Sequence, residues 1–316
     1  MTQIMKLWTF PAVFSLLFMT ALVPEASALV FWNLDNSANQ TDPGGGLPWD
    51  TVGRVAGTDL SLASSTGSAI HLGGGYMLTA NHVTLTSSQR VTFDGVTSFA
   101  VDMTFNSNNG TVLGKQVASG VDLKVFKLTS TPSVGSVILD STGGFEASAT
   151  LVGYGVGRGA TALGNSTVAW GNTSSLDTVA KRWGTNVPRQ LSTISGGGYT
   201  YNALISVAGA STGTPAGLGN SEASISLIDS GSAMFQNISG AWRLIGVGTA
   251  VEQQSGGSTT TFGNDAVTGG GDENYHVQIS SYRTQILGII PEPASISLLL
   301  TTAGCALLVL RRSRRD

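Results

Sequence analysis

The punctuation of its apolar runs constrains this chain most. Between residues 29 and 279 almost no segment sustains the 3.6-residue hydrophobic period of a helix. Short β-rich runs are instead broken by clusters of Gly, Ser, Asn and Asp, the spacing of antiparallel barrels or sandwiches. The runs Gly67–Leu72, Tyr76–Thr79, Arg90–Phe93, Leu123–Leu128, Ala149–Gly153, Leu204–Ala208, Ser232–Gln236, Trp242–Thr249 and His276–Ile279 read as strands. Gly73-Gly74-Gly75 is a turn, and Gly143-Gly144, Gly196-Gly197-Gly198 and Gly269-Gly270-Gly271 mark loops. The polar stretch Ala160–Asn202 is expected to carry long loops. One helix is expected near the end, capped by Ser280, with Tyr282, Ile286 and Ile289 on its apolar side.

Composition narrows the function classes. With 42 glycines and only 11% charged residues among 316, a coiled coil is excluded and a helical bundle disfavoured. A net charge of −3 without a basic run outside the tail argues against nucleic acid as a partner. Cys305 is the only cysteine, so there is neither an internal disulfide nor a thiolate metal cage. A multi-histidine centre would need nearly all of His71, His82 and His276, so no metal is expected. Gly153 to Ala160 can be written as a dinucleotide fingerprint, but no helix and no βαβ unit follow it, so no cofactor is expected either.

The two ends read as addresses rather than fold. Residues 1–28 have the order of a secretory signal peptide: Lys6, an apolar run from Leu7 to Val23, then Ala26-Ser27-Ala28 as a small-residue cleavage site. The mature chain would begin near Leu29. At the other end Pro291-Glu292-Pro293 precedes an apolar stretch, 294–310, and the basic run Arg311-Arg312-Ser313-Arg314-Arg315. That stretch is at the short end of what spans a bilayer, and the arginines would hold its end on the cytoplasmic side. This three-part order resembles the PEP-CTERM sorting signal of Gram-negative bacteria. The resemblance implies export, transient anchoring in the inner membrane through 294–310, recognition by an exosortase-type sorting protease, and delivery to the cell surface or extracellular matrix. The domains expected are therefore 1–28, 29–290 and 291–316.

Three segments of the core carry chemistry. A Gly-turn hairpin ends at Leu78-Thr79-Ala80-Asn81-His82-Val83. Val121-Asp122-Leu123-Lys124-Val125 opens a strand with an aspartate. Asp229-Ser230-Gly231-Ser232 places a serine beside a glycine at a tight turn, where a hydroxyl stands exposed and backbone N–H groups converge. A serine hydroxyl is a poor nucleophile at neutral pH and needs a base whose pKa is near 7. That base needs a carboxylate to fix its tautomer. His82, Asp122 and Ser230 supply these parts.

In their contexts the three segments resemble the trypsin/chymotrypsin-like serine proteases. Residues 78–83 are similar to "LTAAHC", 121–125 to "DIALL", and 229–232 to the core of "GDSGG". Thr150–Gly155 looks like the family's "AGWG" strand, Ile245–Thr249 like the strand that pairs with substrate, and Tyr275–Ile286 like the last strand and closing helix. The resemblance spans roughly residues 52–289 and runs in the family's order of His, Asp, Ser. It implies an all-β fold of two six-stranded antiparallel β-barrels with a short C-terminal helix. It implies an endopeptidase acting on protein or peptide substrates, with Ser230 as nucleophile, His82 as general base and then acid, and Asp122 orienting His82.

The resemblance further implies an oxyanion hole from the backbone N–H groups of Ile228 and Ser230. Ile228 stands where the family has glycine, and a β-branched residue resists the backbone angles required there. In activated members the residue matching Asp229 pairs with a freshly cut N-terminus. Here the mature end near Leu29 precedes the first barrel strand by many residues, so no such switch is expected. Counting back from Ser230 assigns Ser224 to the base of the substrate pocket, with Thr249 and Val251 on its wall. A small or medium apolar substrate side chain is expected. Two alternatives remain open: a protease-fold binding protein with little or no turnover, motivated by Ile228, and a Gly/Ser/Thr-rich structural matrix protein in which the three residues do not meet.

Overall fold

The computed structural model describes residues 29–31, 38–105, 113–162, 167–170, 179–208, 221–251, 261–263 and 272–290. Residues 1–28, read as a leader, and 291–316, read as a sorting segment, lie outside them. Among the described residues no helix is long and apolar enough to cross a membrane.

After a two-residue strand β1 (Val30–Phe31), the first half of the chain folds into one antiparallel sheet. Its strands are β2 (Val52–Ala56), β3 (Gly67–Gly73), β4 (Tyr76–Thr79), β5 (Arg90–Thr92), β6 (Ser98–Ala100), β7 (Lys115–Gln116) and β8 (Lys124–Lys127), in the order β6-β5-β2-β3-β4-β8-β7. Period-2 alternation decides which way each residue faces. Ala69, Met77 and Phe126 enter one buried cluster with Val55, Val91 and Leu128. Their neighbours Ile70, Leu78 and Val125 enter a second cluster, shared with the other half of the molecule. The sheet curls shut: Val101 bridges Leu128, Asp102 N donates to Lys127 O at 2.8 Å, and Thr129 N donates to Ala100 O at 2.9 Å. Closure thus uses β2 to β6 and β8, with β7 as a seventh strand on the outer part of the β8 edge.

The second half adds β9 (Ala149–Gly155), β10 (Arg158–Ala162), β11 (Thr167–Trp170), β12 (Ala180–Asn186), β13 (Pro188–Gly196), β14 (Tyr199–Ala208) and β15 (Ala223–Ser224). It ends with β16 (Ala233–Ile238), β17 (Ala241–Val251), β18 (Thr261–Gly263), β19 (Asp272–Gln278) and the helix α1 (Ile279–Ile289). Seven of these strands form a second antiparallel sheet, β12-β9-β16-β17-β19-β14-β13, while β10, β11 and β18 form a small separate one. The expectation of two six-stranded barrels is corrected to two seven-stranded sheets. Among the described residues no ladder joins β12 to β13; the outer edge of β12 meets an isolated parallel bridge between Thr185 and Glu222 instead.

Each apolar run read as a strand overlaps one. The polar stretch Ala160–Asn202 was expected to carry long loops; its described residues hold the end of β10, β11, β12, β13 and the start of β14. The hairpin β13–β14 turns at Gly197 and Gly198, both with positive φ, and pairs Leu191 with Leu204 and Ile194 with Tyr201. Most of β13 faces solvent, so its sequence needs no apolar alternation; backbone pairing alone makes it a strand. The helix cap is corrected too. Gln278 is the N-cap residue, and its Oε1 accepts from Ser281 Oγ at 2.6 Å, while Ser280 lies within the first turn.

Candidate functional site

Backbone pairing delivers the histidine and the aspartate to one place. β4 and β8 are paired with Thr79 opposite Lys124. The chain leaving β4 and the chain entering β8 are therefore neighbours, and His82 and Asp122 lie just beyond those paired ends. The serine comes from the other half of the molecule, in the loop between β15 and β16. That loop is stitched to the first sheet: Ser68 N, on β3, donates to Ser230 O at 2.8 Å, and Thr79 Oγ1 donates to Ser68 O at 2.7 Å. It is stitched to its own sheet by Gly231 N donating to Gly248 O at 2.8 Å. Gly231 has φ +87°, and a Cβ there would lie 2.0 Å from Ser68 O, so only glycine fits.

The structure brings His82, Asp122 and Ser230 together. His82 Nδ1 is 2.8 Å from Asp122 Oδ2, and His82 N donates to Asp122 Oδ1 at 3.0 Å. His82 Nε2 is 2.7 Å from Ser230 Oγ. A carboxylate only accepts, so the ring proton belongs on Nδ1, and Nε2 is left to accept from the Ser230 hydroxyl. The Asp122 side chain is 6% exposed and that of His82 38%, a buried anchor beneath an accessible base. This arrangement can take a proton from Ser230 as its oxygen attacks an electrophile.

Ile228 adopts the left-handed backbone, with φ +71°. The resistance expected of a β-branched residue is overcome by its surroundings. Asp229 N donates to Ser226 O at 3.1 Å, Val156 N donates to Leu227 O at 2.9 Å, and the Ile228 side chain packs against the cluster of Tyr154, Val156 and Val179. Among the described residues the backbone N–H groups of Ile228 and Ser230 donate to no protein acceptor. Beside them lies a cavity of about 230 Å³, lined by Ile225 to Ile228, Ser230, and Thr249 to Val251. Thr249 Oγ1 is held by Tyr201 Oη at 2.8 Å and donates to Tyr275 O at 3.1 Å. Ser224, expected at the base of the pocket, is not among the residues lining this cavity. It is fully buried, and its hydroxyl donates to Asn274 Oδ1 at 2.6 Å, because pairing of β15 with β1 sets the direction of its side chain.

Although many residues separate it from the first barrel strand, the described start of the chain lies near Asp229. β1 pairs Val30 with Ser224 and Phe31 with Ala223, which brings Leu29 beside the 226–230 loop. Leu29 is fully buried, and its backbone N–H lies near enough to the Asp229 carboxylate to favour its charged form. Counting residues along the chain missed this, since a strand pair closes any length of intervening loop. Asp229 is itself fully buried and accepts from Ser226 N at 2.8 Å and Ser226 Oγ at 2.9 Å, while its Oδ1 has no hydrogen-bond partner among the described residues. Burial pushes its pKa up to about 6, against the hydrogen bonds and the nearby Arg182 guanidinium, which favour the charged form. Burial also holds Arg182 down to about 9, with Asp229 partly offsetting. Gly153 and Gly155 make the room: a Cβ on either would lie 2.6 or 2.5 Å from Asp229 side-chain atoms.

Two neighbours of His82 carried no signal in the sequence reading. Asn81 Nδ2 donates to Tyr199 Oη at 3.2 Å, tying the tip of the β13–β14 hairpin to the histidine loop. Lys124 is buried beneath that loop.

No family model matches the chain, and no curated protein sequence does. Among solved structures, the active form of the Rv3671c protease from M. tuberculosis is similar at 12% identity over 78% of this chain and 83% of that one, with a TM-score of 0.47. The inactive form of Rv3671c is similar at 13% identity over 77% and 91%, with a TM-score of 0.45. The HtrA-type protease AlgW with a tripeptide is similar at 18% identity over 78% of this chain and 64% of that one, with a TM-score of 0.45. At these values the likenesses carry no weight for what this chain does.

Proposed function

We propose that this chain is an exported serine endopeptidase of trypsin-like fold, with residues 29–290 as its protease domain. The observation that carries the proposal is the unbroken line of hydrogen bonds from Asp122 through His82 to Ser230. Ser230 Oγ attacks the carbonyl carbon of a peptide bond while its proton passes to His82 Nε2. Asp122 stabilises the imidazolium so formed. The backbone N–H groups of Ile228 and Ser230, free of internal acceptors, receive the oxyanion. The intermediate collapses as His82 returns the proton to the leaving amine. Water then enters, gives its proton to His82 and its oxygen to the acyl carbon, and Ser230 is released with its proton restored. The walls at Ile225, Leu227, Ile228, Ala250 and Val251 favour a small or medium apolar side chain in the adjacent cavity.

Export follows from residues 1–28 read as a leader and 291–316 as a PEP-CTERM-type signal, with an inner-membrane stage before exosortase processing. Cleavage after Ala28 would turn the Leu29 N–H into an ammonium beside the Asp229 carboxylate. An ammonium has three donors where a peptide has one, which suits the unpartnered Oδ1. Amino-terminal sequencing of the exported form is expected to begin at Leu29. The test of the chemistry is a fluorophosphonate label with a peptide-library assay on residues 29–290. Labelling at Ser230 and cleavage, both lost in Ser230→Ala, are expected. A folded protein that neither labels nor cleaves would leave the binding-protein reading in its place.

A further inference from the structure

Lys124 is 1% exposed, yet it carries an ammonium. Among the described residues no carboxylate lies within ion-pair distance of its Nζ; its partners are two backbone carbonyls, Asn81 O at 3.0 Å and Val83 O. These are the carbonyls of the residues on either side of His82. Asp122, two positions earlier on the same chain segment, accepts from the backbone N and from Nδ1 of His82. One short segment therefore grips the histidine twice, by its ring and N–H from Asp122 and by its flanking peptides from Lys124. Burying an ammonium without a counter-ion is costly, and a leucine or methionine would fill the same space at no such cost. Burial holds the Lys124 pKa down to about 8, with Asp122 offsetting part of the shift. Charge-assisted bonds to two carbonyls of one loop are what the lysine supplies that an apolar residue cannot.

We infer that Lys124 is a positioning residue that clamps the peptide units around His82 and so keeps Nε2 aligned on the Ser230 hydroxyl. The inference rests on the protease reading, since the alignment matters only if His82 acts as a base. Small displacements of a catalytic base are expensive, on the order of 100-fold for a misplacement of about 1 Å.

The test compares Lys124→Met, which keeps the length and loses the donors, with Lys124→Arg, which keeps donors and charge. The readouts are the rate of reaction with a fluorophosphonate probe and the low-field NMR proton of the His82–Asp122 hydrogen bond. For Lys124→Met the saturating inactivation rate is expected to fall by about tenfold or more, while the probe's apparent affinity stays within about twofold. The low-field proton should broaden or vanish, and Lys124→Arg should restore both. A folded Lys124→Met with wild-type rate and an intact low-field proton overturns the inference. If Lys124→Met does not fold, Lys124→Leu, which likewise lacks the donors, is read in the same way. If the wild-type protein does not react at all, the protease reading fails, and loss of the low-field proton on substitution still decides whether Lys124 holds His82.

Discussion

The backbone N–H of Leu29 lies beside the buried carboxylate of Asp229, the residue immediately before Ser230, and favours its charged form. The start of the proposed mature chain thereby adjoins the loop that carries Ser230, the proposed nucleophile, and the N–H groups of Ile228 and Ser230, which among the described residues have no protein acceptor. A chain beginning at a free Leu29 is expected to react with a fluorophosphonate probe about tenfold faster than one whose α-amine is acetylated, because the ammonium fixes Asp229 and with it the 228–230 turn. Asp229→Asn should abolish the difference. Equal rates for the free and acetylated chains would refute the coupling.

Asp229 also sets a pH dependence. With Leu29 still in peptide linkage, its pKa in the fold stands near 6, above the ordinary value of 3.8. The fold then binds the proton more tightly than the unfolded chain does, so its contribution is complete below about 3.8 and is lost as pH rises through about 6. His276, fully buried and held down to about 4 by desolvation, slopes the other way, stabilising above its ordinary value of 6.5 and failing as pH falls towards 4. The net curve mixes the two, so the difference between variants is the useful quantity. In urea unfolding of the leader-bearing chain, the stability of Asp229→Asn relative to wild type should rise between about pH 4 and 7. A flat difference would show that Asp229 does not titrate in this window.

At Ile228 the left-handed backbone inverts the usual ranking of small residues. In extended or helical backbone alanine is the more stable of the two, by roughly 0.5–1 kcal/mol over glycine. At φ +71°, alanine keeps the clash of Cβ with the carbonyl and glycine does not. Ile228→Gly should therefore be more stable than Ile228→Ala by about 1 kcal/mol in chemical denaturation. The opposite order would mean that the turn takes another conformation, and with it that the Ile228 N–H points elsewhere.

Gly155 tests the packing around Asp229. A Cβ at this position would sit 2.5 Å from Asp229 Cγ and from Ser226 Oγ, both in the interior. Gly155→Ala is expected to cost about 1–3 kcal/mol through overpacking, and to slow labelling of Ser230 by displacing Asp229. Gly196→Ala, with nothing among the described residues within 4 Å of its Cβ, is the control and should change stability by less than about 0.5 kcal/mol. A Gly155→Ala protein with unaltered melting and labelling would show that the carboxylate is not confined there.

Some of this was legible in the residues because it is local. The motifs around His82, Asp122 and Ser230 are short segments whose turns and strand ends are written in adjacent residues, and β3, β4, β8 and β16 are short, largely apolar runs whose successive residues are buried on both faces. The solvent-facing strand β13 gave no such signal, because its partners supply backbone hydrogen bonds rather than an apolar surface. Ser224 was placed by counting from Ser230, but a count along the chain carries no information on side-chain direction. Its pairing with Val30 and its bond to Asn274 supply that. Lys124 looked like one more residue of a strand. Only the β4–β8 register reveals that its ammonium lies beneath the peptides on either side of His82.

By itself, then, the amino-acid order determined the β character of the chain, the order of the candidate residues His82, Asp122 and Ser230, and the glycine that the tight turn after Ser230 requires. The closing of the triad, the left-handed turn at Ile228 and the meeting of Leu29 with Asp229 were decided only in three dimensions. The reason is physical: propensity and periodicity act over a few residues. Hydrogen bonds such as Ser68 to Ser230 join positions that only the packing of two sheets brings into reach, and it is these that hold the site in shape.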